Sequence, residues 1–386
     1  MPPQITLKKP VEASVRGGHP WVYRDALKPF AKGLKTGDIV DLMAQDGSFV
    51  ARGVIEIESP LSFRAWTLNQ SERVDDALLI KRLRNAYETR QLVLASDVTG
   101  YRLCHGENDH IPGLHCDMYG DIASMRTDGG LGASWEKKFV KAVKEVVKPR
   151  AIVVRNTRDK EPRVVHGSLP DEVIISEGNR RFYVDLLKGQ KTGFFLDQRE
   201  NRDRVASISA GLRVLNLFSY TGGFSVAAAL AGAKRVVSVD IAAPAIESAR
   251  QNFSLNGIDP KLHGFQAADV FDVLEGMAET GPEYDLIVLD PPSFARSRKT
   301  LERGMRAYGA LNTMAFRSLP ARGLLATASC SSHVTPTAFL EMVGESAKKA
   351  GREVTILGTY GAGMDHPTKM GFPHGQYLKF VLLRVH

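Results

Sequence analysis

The strongest constraint on the fold lies in the second half of the chain, where short apolar runs alternate with helix-like segments. Four runs downstream of Gly211 have the composition of buried strands, at residues 213–217, 235–240, 286–290 and 323–329. Strands that alternate with helices form βαβ units, and these units build a parallel sheet that helices cover on both faces. The sequence therefore predicts a Rossmann-like α/β domain in this half.

The first 70 residues show a different pattern. Short β-type runs at residues 39–43, 49–57 and 61–66 are separated by glycine-containing turns. Several short strands at close spacing predict a small β-barrel or a curled sheet and do not favour a parallel sheet.

A third pattern lies between these two regions. Residues 74–93 have apolar side chains at helical spacing, and residues 135–147 form a second helix-like segment. Strand-like runs surround that second helix, at residues 122–126, 151–156 and 182–186. We therefore predict three domains, with boundaries at 1–72, 73–187 and 188–386.

The length of the chain indicates several domains, and its net charge favours binding to a polyanion. The 386 residues exceed what one hydrophobic core usually supports. Lys and Arg number 51 against 43 Asp and Glu, which leaves a net charge of +8. This excess favours a polyanionic partner through electrostatic steering, although many basic proteins bind no nucleic acid.

The three cysteines, Cys104, Cys116 and Cys330, are too few and too scattered for a disulfide framework. The sequence shows no signal-peptide pattern and no apolar run of the ~20 residues that cross a bilayer. We expect a cytoplasmic protein that does not use the membrane. Histidines lie among the residues from Cys104 to Cys116, but their spacing fits no standard zinc finger, so we predict no metal site.

The segment 214–225 reads as a strand, a glycine-containing turn and an alanine-rich helix. Glycine lets the backbone approach a ligand closely, and ligands of α/β sheets bind at the carboxyl ends of strands. Asp240 ends the next strand, where its carboxylate can accept hydrogen bonds from ribose hydroxyls. Asp269 follows the third strand, where it can accept from an adenine amino group.

These features predict an S-adenosylmethionine site. The alternative is a dinucleotide fold, but the turn lacks a complete G-x-G-x-x-G motif. The predicted cofactor-binding residues of this region are Asn216, Phe218, Ser219, Tyr220, Thr221, Gly222, Asp240, Ile241, Asp269 and Val270.

Two further strand ends carry candidate catalytic residues. Two prolines cannot continue a central strand, so they form a rigid loop that presents Asp290 at the sheet edge. Cys330 follows the run 324–328 and should face the same cleft. Enzymes that methylate amino groups often carry an aromatic residue where this chain has Ser293, which disfavours an amine target.

A cysteine at this position suits methylation of a pyrimidine carbon. Carbon 5 of cytosine is a poor nucleophile, but a thiolate that adds to carbon 6 turns it into an enamine able to attack a sulfonium methyl group. The alternative is an inert buried thiol, the commonest fate of a lone cysteine. His333 is a weaker candidate for deprotonating Cys330, since a histidine at a helix start is more often a cap.

Five motifs together resemble the ribosomal RNA cytosine-5 methyltransferases of the RlmI type, which begin with a PUA domain. They are Gly-His-Pro-Trp-Val-Tyr at 18–23, a hairpin motif at 106–114, Lys-Thr-Gly-Phe-Phe-Leu-Asp-Gln-Arg at 191–199, Asp-Pro-Pro at 290–292 and Ser-Cys-Ser at 329–331. The resemblance extends over nearly the whole chain.

The resemblance implies a PUA-like β-barrel, a small central α+β domain and a C-terminal class I methyltransferase domain. It implies cytosine in large-subunit (23S) ribosomal RNA as the target and Cys330 as the nucleophile. Further cofactor-binding residues are then Phe194, Phe195, Asp197, Gln198, Arg199 and Asp290, and the residues that flank the base are Pro291, Pro292, Ser293 and Phe294. Because the Pro-Pro loop lacks a second cysteine, either water or Asp290 serves in releasing the adduct.

The resemblance also implies RNA contacts from basic residues of the PUA-like domain, such as Arg16, Arg24 and Lys28. A run of basic residues follows the Asp-Pro-Pro motif, and it either binds a displaced RNA strand or is simply a solvent-exposed face. Its members are Arg296, Arg298, Lys299, Arg303 and Arg306. The sequence leaves a homodimer open. It also leaves open methylation of a guanine or a small aromatic metabolite, and an RNA-binding assembly factor without activity.

Overall fold

A computed structural model describes residues 2–156, 161–281, 283–295 and 297–386. The chain divides into two compact units. The first contains residues 1–175, 184–196 and 364–375, and the second contains 176–183, 197–363 and 376–386. None of the helices within these described ranges has the length and apolar character needed to cross a membrane.

The first unit begins with a five-stranded sheet in the order β1-β3-β4-β5-β2. Its elements are β1 (Gln4–Thr6), α1 (Glu12–Arg16), β2 (Trp21–Tyr23), β3 (Ile39–Met43), β4 (Phe49–Ile55) and β5 (Leu61–Thr67). A bridge between Leu7 and Leu27 joins the chain beyond the two edge strands, so the sheet curls as expected.

The three predicted strands pair antiparallel, β3 with β4 and β4 with β5, so this is not a parallel sheet, as expected. The sequence did not predict β1, which pairs with β3 in parallel. Parallel neighbours need a long crossover connection. Here the chain between the two strands includes α1 and β2, which gives it the length to return in the same direction.

The rest of the first unit is largely a second five-stranded sheet, in the order β10-β9-β8-β7-β6, with two helices. Its elements are α2 (Asp76–Val93), β6 (Gly100–His105), β7 (Leu114–Tyr119), β8 (Ile122–Thr127), α3 (Gly129–Val147), β9 (Ala151–Asn156) and β10 (Arg163–His166). The two helices pack on each other, and side chains such as Leu83 and Phe139 enter the core.

The helix expected at 135–147 begins six residues earlier, at Gly129. The segment 129–134 is rich in glycine and lacks the apolar spacing of a helix. Its start is stabilised by the carboxylate of Glu56, which accepts a hydrogen bond from the Gly130 N–H at 2.5 Å. A residue distant in sequence therefore extends this helix.

A two-stranded hairpin, β11 (Ile174–Glu177) and β12 (Arg180–Tyr183), comes next. The strand expected at 182–186 therefore lies earlier in the chain, and residues 184–186 are not part of it. Val184 and Leu186 are buried in the first unit, with 6% and 2% of their surface exposed. Their apolar character therefore reflects this burial and not a continuation of the strand.

The second unit contains a seven-stranded sheet in the order β15-β14-β13-β16-β17-β19-β18. Its elements are α4 (Arg199–Ser207), β13 (Arg213–Leu217), α5 (Gly223–Leu230), β14 (Arg235–Asp240), α6 (Ala243–Leu255), β15 (Gly264–Ala267), α7 (Val270–Thr280), β16 (Leu286–Leu289), α8 (Leu301–Arg317), β17 (Leu324–Ser329), α9 (Pro336–Lys349), β18 (Val354–Tyr360) and β19 (Lys379–Val385). Strands β13 to β17 run parallel, and β19 pairs with β17 antiparallel.

The helices of this unit form two groups. Helices α4, α5 and α6 contact one another in sequence, and so do α7, α8 and α9. Side chains of the second group, such as Leu311 and Phe339, pack with strand residues such as Leu215 and Ile287 in a single core cluster. The Rossmann-like fold expected from the alternating pattern is confirmed, with an antiparallel strand inserted near one edge.

A buried ion pair stabilises the first unit. The fully buried Arg90 on α2 donates two hydrogen bonds to the Asp109 carboxylate, at 2.6 and 2.7 Å. It donates two more to the carbonyl oxygens of Arg102 and Asp365, each at 2.9 Å. The guanidinium is therefore satisfied on several sides, which a buried cation requires.

We expect Asp109→Asn to lower the free energy of unfolding by about 3–5 kcal/mol, because it leaves the Arg90 charge buried without a counter-charge. Urea unfolding followed by tryptophan fluorescence measures this, since Trp66 and Trp135 lie in the core of the same unit. Lys141→Gln is the control: it breaks an exposed pair with Asp76 and should cost less than about 1 kcal/mol. Equal losses in the two variants would contradict this account.

Candidate active site

The turn after β13 has an unusual backbone. Phe218 and Tyr220 have φ angles of 58° and 48°, and Gly222 has φ 80°. Left-handed conformations are rare for residues with side chains and concentrate where a site needs a special backbone shape. A Cβ on Gly222 would lie 2.9 Å from the Cβ of Ala249 on α6. Glycine is therefore needed there both for its conformation and for the close packing of the turn.

Buried polar side chains support this turn from beneath. The Asn216 amide donates to Ser225 Oγ at 2.8 Å, and the Ser238 and Ser225 hydroxyls lie 2.7 Å apart. These residues belong to β13, α5 and β14, so the network links three elements below the turn. Of the predicted cofactor residues here, Asn216 therefore lies in the supporting layer.

Asp240 and Ile241 lie at the end of β14. The Asp240 carboxylate accepts hydrogen bonds from the Tyr220 N–H at 2.9 Å and the Ala242 N–H at 3.0 Å. These bonds fix its orientation and leave further lone pairs on both oxygens. The adjacent Ile241 side chain is 73% exposed, which is unusual for so large an apolar group. A carboxylate beside an apolar surface suits a ribose beside a planar base.

Asp269 lies two residues beyond β15, at the first position before α7. Its side chain accepts a hydrogen bond from the Phe271 N–H at 2.8 Å, and it is exposed. Val270 is buried at the start of α7. Asp269 is therefore a helix cap whose remaining oxygen is accessible.

Two buried hydroxyls of the turn provide a test of the cofactor. Ser219 Oγ and Thr221 Oγ1 have no hydrogen-bond partner among the described residues. Buried polar atoms are nearly always paired, so these two fit a ligand that supplies the partners. The residues present therefore fit S-adenosylmethionine, while the roles of Asp240 at the ribose and of Asp269 at the adenine stay predictions.

The segment before α4 contacts Asp290, the residue directly after β16. The Gln198 amide donates to the Asp290 carboxylate at 3.0 Å, and Asn201 donates to the Gln198 carbonyl oxygen at 2.6 Å. The Tyr377 hydroxyl donates to the Asp197 carboxylate at 2.6 Å. Arg199, at the start of α4, is buried. Within the Asp-Gln-Arg motif, Gln198 thus holds Asp290, and Asn201 in turn supports Gln198.

The two aromatic residues of the same motif belong to the first unit. The Phe194 N–H donates to the Tyr119 hydroxyl at 3.1 Å, and the Phe194 side chain is 3% exposed. The Lys191 ammonium lies 4.3 Å from the centre of the Phe195 ring. Their predicted role in binding the cofactor stays a prediction.

Asp290 and Cys330 follow adjacent parallel strands. The ladder between β16 and β17 ends with the pair Leu289 and Thr327, so the chain leaves both strands at the same edge of the sheet. Cys330 is partly exposed, whereas Cys104 and Cys116 are buried, and burial raises the pKa of both of those thiols. Cys330 is therefore the accessible thiol of the three.

The Ser331 hydroxyl joins the loop that follows Asp290 to the turn that carries Cys330. It lies 2.8 Å from the Ser293 hydroxyl and 2.9 Å from the Tyr308 hydroxyl, and it accepts from the Ala295 N–H at 3.3 Å. Tyr308 also donates to the Pro292 carbonyl oxygen at 3.3 Å. Ser293, predicted beside the substrate, thus also positions the turn that carries Cys330.

The ring of Phe294 packs on Tyr308, with ring centres 5.0 Å apart. Pro291 is buried and Pro292 is exposed beside it. The four residues predicted to flank the base therefore form one loop that is anchored on α8.

The sequence analysis missed two residues of this site, Tyr308 and Lys379. The Lys379 ammonium is buried and donates to the carbonyl oxygens of Ser331 and Tyr377, at 2.6 and 2.8 Å. A lone lysine directly before the apolar run 380–383 was the signal for it. Tyr308 had no such signal, because a tyrosine in a helix is ordinarily a packing residue.

His333 is exposed, and the expectation that it caps a helix was wrong. Helix α9 begins at Pro336, and the side chain of Thr335 accepts a hydrogen bond from the Ala338 N–H as its cap. The proline fixes the helix start three residues beyond the histidine.

The basic run after the catalytic loop is exposed at Arg298, Lys299, Arg303 and Arg306, and Arg306 pairs with Glu302 at 2.6 Å. Arg296 lies outside the described residues. In the first unit, Arg16 and Lys28 are exposed, while Arg24 lies over the Phe30 ring. These positions are accessible to a phosphate backbone.

Comparison with known proteins matches two regions of the chain to family models. A family model described as a PUA-like domain matches residues 5–68, and one for S-adenosylmethionine-dependent methyltransferases matches residues 150–353. The chain is 38% identical to ribosomal RNA large subunit methyltransferase I of Aeromonas salmonicida, over 98% of each chain. It is 37% identical to the protein of the same name from Aeromonas hydrophila, over the full length of both.

The solved structures agree on the fold. A Streptococcus mutans protein, designated a candidate S-adenosylmethionine-dependent methyltransferase, superposes with a TM-score of 0.88 over 99% of this chain and 100% of its own, at 23% identity. A related structure with the same TM-score, of the protein SMU.776, contains SAH. The expected PUA-like and methyltransferase folds and the expected cofactor are confirmed. The homodimer that the sequence left open finds no support, and the residue boundaries of the three domains stay a prediction.

We expect Asp240→Asn to weaken binding of S-adenosylmethionine by about 10- to 100-fold, the usual cost of losing hydrogen bonds to a charged group. Isothermal titration calorimetry measures this. Glu341→Gln removes one negative charge from an exposed position on α9 and should leave the affinity unchanged. Unchanged affinity in Asp240→Asn would contradict the assignment of the ribose site.

Proposed function

Because this chain belongs to the S-adenosylmethionine-dependent methyltransferases, in the family of the ribosomal RNA large subunit methyltransferase I proteins, we propose that it methylates carbon 5 of a cytidine in large-subunit (23S) ribosomal RNA. The reaction proceeds through a covalent adduct with Cys330. The observation that carries this proposal is an accessible thiol, directly after a central strand, beside the loop of Asp290.

The chemistry needs a nucleophile at carbon 6. The Cys330 thiolate forms a bond to carbon 6, and the electron pair of the 5,6 double bond moves to carbon 5. The bound cofactor supplies an electrophilic methyl group on a sulfonium centre. After carbon 5 takes the methyl group it loses its proton, and the electron pair of that C–H bond reforms the double bond as the carbon–sulfur bond breaks. Cys330 thus leaves as a thiolate.

Asp290 orients the base in this proposal. Its carboxylate accepts a hydrogen bond at the base edge near N3, where the amino group of cytosine lies. Gln198 holds the carboxylate at 3.0 Å, so its direction is set before the substrate arrives. The loop 291–294 flanks the base, and either Asp290 or water accepts the proton from carbon 5.

The PUA-like domain provides contacts to the RNA. Arg16, Arg24 and Lys28 contact phosphates, which position the RNA without reading its sequence. Since carbon 5 lies within stacked bases, the target nucleotide is flipped out or unpaired in the complex. Ribosomal RNA as the substrate also places the protein in the cytoplasm.

We expect labelled S-adenosylmethionine and unmodified large-subunit RNA to yield labelled 5-methylcytidine after digestion, identified by mass spectrometry. Cys330→Ala should lower the rate by at least about a thousandfold, because no other group attacks carbon 6. Cys116→Ala, which removes a buried thiol of the first unit, should retain activity.

Full activity in Cys330→Ala would refute the nucleophile. Labelled guanosine would indicate methylation of another base. RNA binding without any label would indicate an assembly factor instead of an enzyme.

A further inference from the structure

Lys379 is a buried cation beside the proposed nucleophile. Only 4% of its surface is exposed. It is the first residue of β19, and in the antiparallel ladder it pairs with Ser329, the residue before Cys330. Its ammonium donates a hydrogen bond to the carbonyl oxygen of Ser331, the residue after Cys330, at 2.6 Å. Lys379 therefore contacts the chain on both sides of the cysteine, through its backbone at Ser329 and through its ammonium at Ser331.

The charge of Lys379 is paired with no carboxylate in the part of the chain that the structure describes. No ion pair joins it to an acidic side chain among the described residues, and its two hydrogen bonds go to the uncharged carbonyl groups of Ser331 and Tyr377. Burying an ammonium without an anion is costly. Buried charges are usually paired with an opposite charge, and a thiolate at Cys330 acts electrostatically on this ammonium.

The proton equilibria of the two groups agree with this pairing. Burial lowers the pKa of Lys379 to about 8, and the charge of a Cys330 thiolate acts in the opposite direction, raising it. The interaction is mutual, so a charged Lys379 lowers the pKa of the Cys330 thiol. With a pKa of about 8, Lys379 remains mostly protonated at pH 7 and loses its charge as the pH rises through 8.

The other groups around Cys330 do not supply this charge. Tyr308 on α8 is neutral at pH 7, as a tyrosine ordinarily is, and burial raises the pKa of its hydroxyl further. Asp290, beyond β16, is a carboxylate and opposes a thiolate. The Tyr377 hydroxyl donates a hydrogen bond to the Asp197 carboxylate, and His333 is exposed to solvent. Lys379 is the buried cation among these neighbours.

We propose that Lys379 is a positioning residue that holds the turn of Cys330 through the Ser331 carbonyl and keeps the Cys330 sulfur in its thiolate form. This inference rests on the proposed function, in which Cys330 is the nucleophile. A thiolate is needed before each round of attack and is formed again when the adduct breaks. Lys379 thus serves both the first and the last step of the reaction.

The test is the pH dependence of Cys330 alkylation by iodoacetamide in the full-length protein, with the modified peptide followed by mass spectrometry. We expect Lys379→Met to raise the apparent pKa of the thiol by about 1 to 3 pH units, the range for losing a nearby opposite charge. Lys379→Arg keeps the charge, so the pKa of the thiol should stay close to its wild-type value. The acid limb of the methylation rate should move in the same direction.

An unchanged thiol pKa in Lys379→Met would overturn the inference. Replacing a buried charge by an apolar side chain of similar volume is often neutral for stability, and unchanged cofactor affinity would show that the fold is intact. If Lys379→Met fails to fold, Lys379→Gln gives the same comparison: a raised pKa supports the inference and an unchanged one overturns it.

The two proposals fail in different ways. A wild-type enzyme that forms 5-methylcytidine, with a thiol pKa that Lys379→Met leaves unchanged, would refute only the role of Lys379. A thiol pKa that rises in Lys379→Met, in an enzyme that methylates another base, would support the electrostatic role and refute the proposed function.

Discussion

The proposed active site depends on the pairing of three strands, β16, β17 and β19. The parallel ladder between β16 and β17 makes both strands end at one edge, so Asp290 and Cys330 leave the sheet side by side. The antiparallel strand β19 begins at that same edge, which brings Lys379 opposite Ser329. A sheet of parallel strands alone would present only carboxyl ends there. The reversed strand adds an amino end, and with it the cation.

Ser331 connects the groups at this edge. Its hydroxyl meets Ser293 and Tyr308, while its carbonyl oxygen accepts from Lys379. The loop of Asp290, helix α8 and strand β19 are therefore all fixed to the turn that carries Cys330. Active sites gain from such rigidity, because a reacting group held in place loses little entropy when the substrate arrives.

The sequence predicted those parts of the fold that depend on local patterns. Strands such as β13 and β14 were found to the residue, because a buried parallel strand is a continuous apolar run. The start of α3 was missed because it depends on Glu56, some seventy residues away along the chain. The parallel partner of β1 was missed for the same reason, since pairing between distant segments leaves no local pattern.

The candidate site divides in the same way. Asp240, Asp290 and Cys330 could be proposed from the sequence because Asp240 ends a recognisable strand and the other two each follow one. Lys379 and Tyr308 were missed because their importance comes from what they contact, and those contacts form only when β19 and α8 meet the Ser331 turn. Phe194 and Phe195 rest on the family resemblance alone.

The covalent adduct between Cys330 and cytosine is the central claim, and trapping it is the most direct test. RNA that carries 5-fluorocytidine at the target position cannot lose its carbon-5 substituent as a cation, so the adduct should persist after methyl transfer. We predict a protein–RNA complex that survives denaturing electrophoresis and maps to Cys330 by mass spectrometry, and that Cys330→Ala does not form. Methylation of this RNA without any such complex, or a complex in Cys330→Ala, would contradict the account.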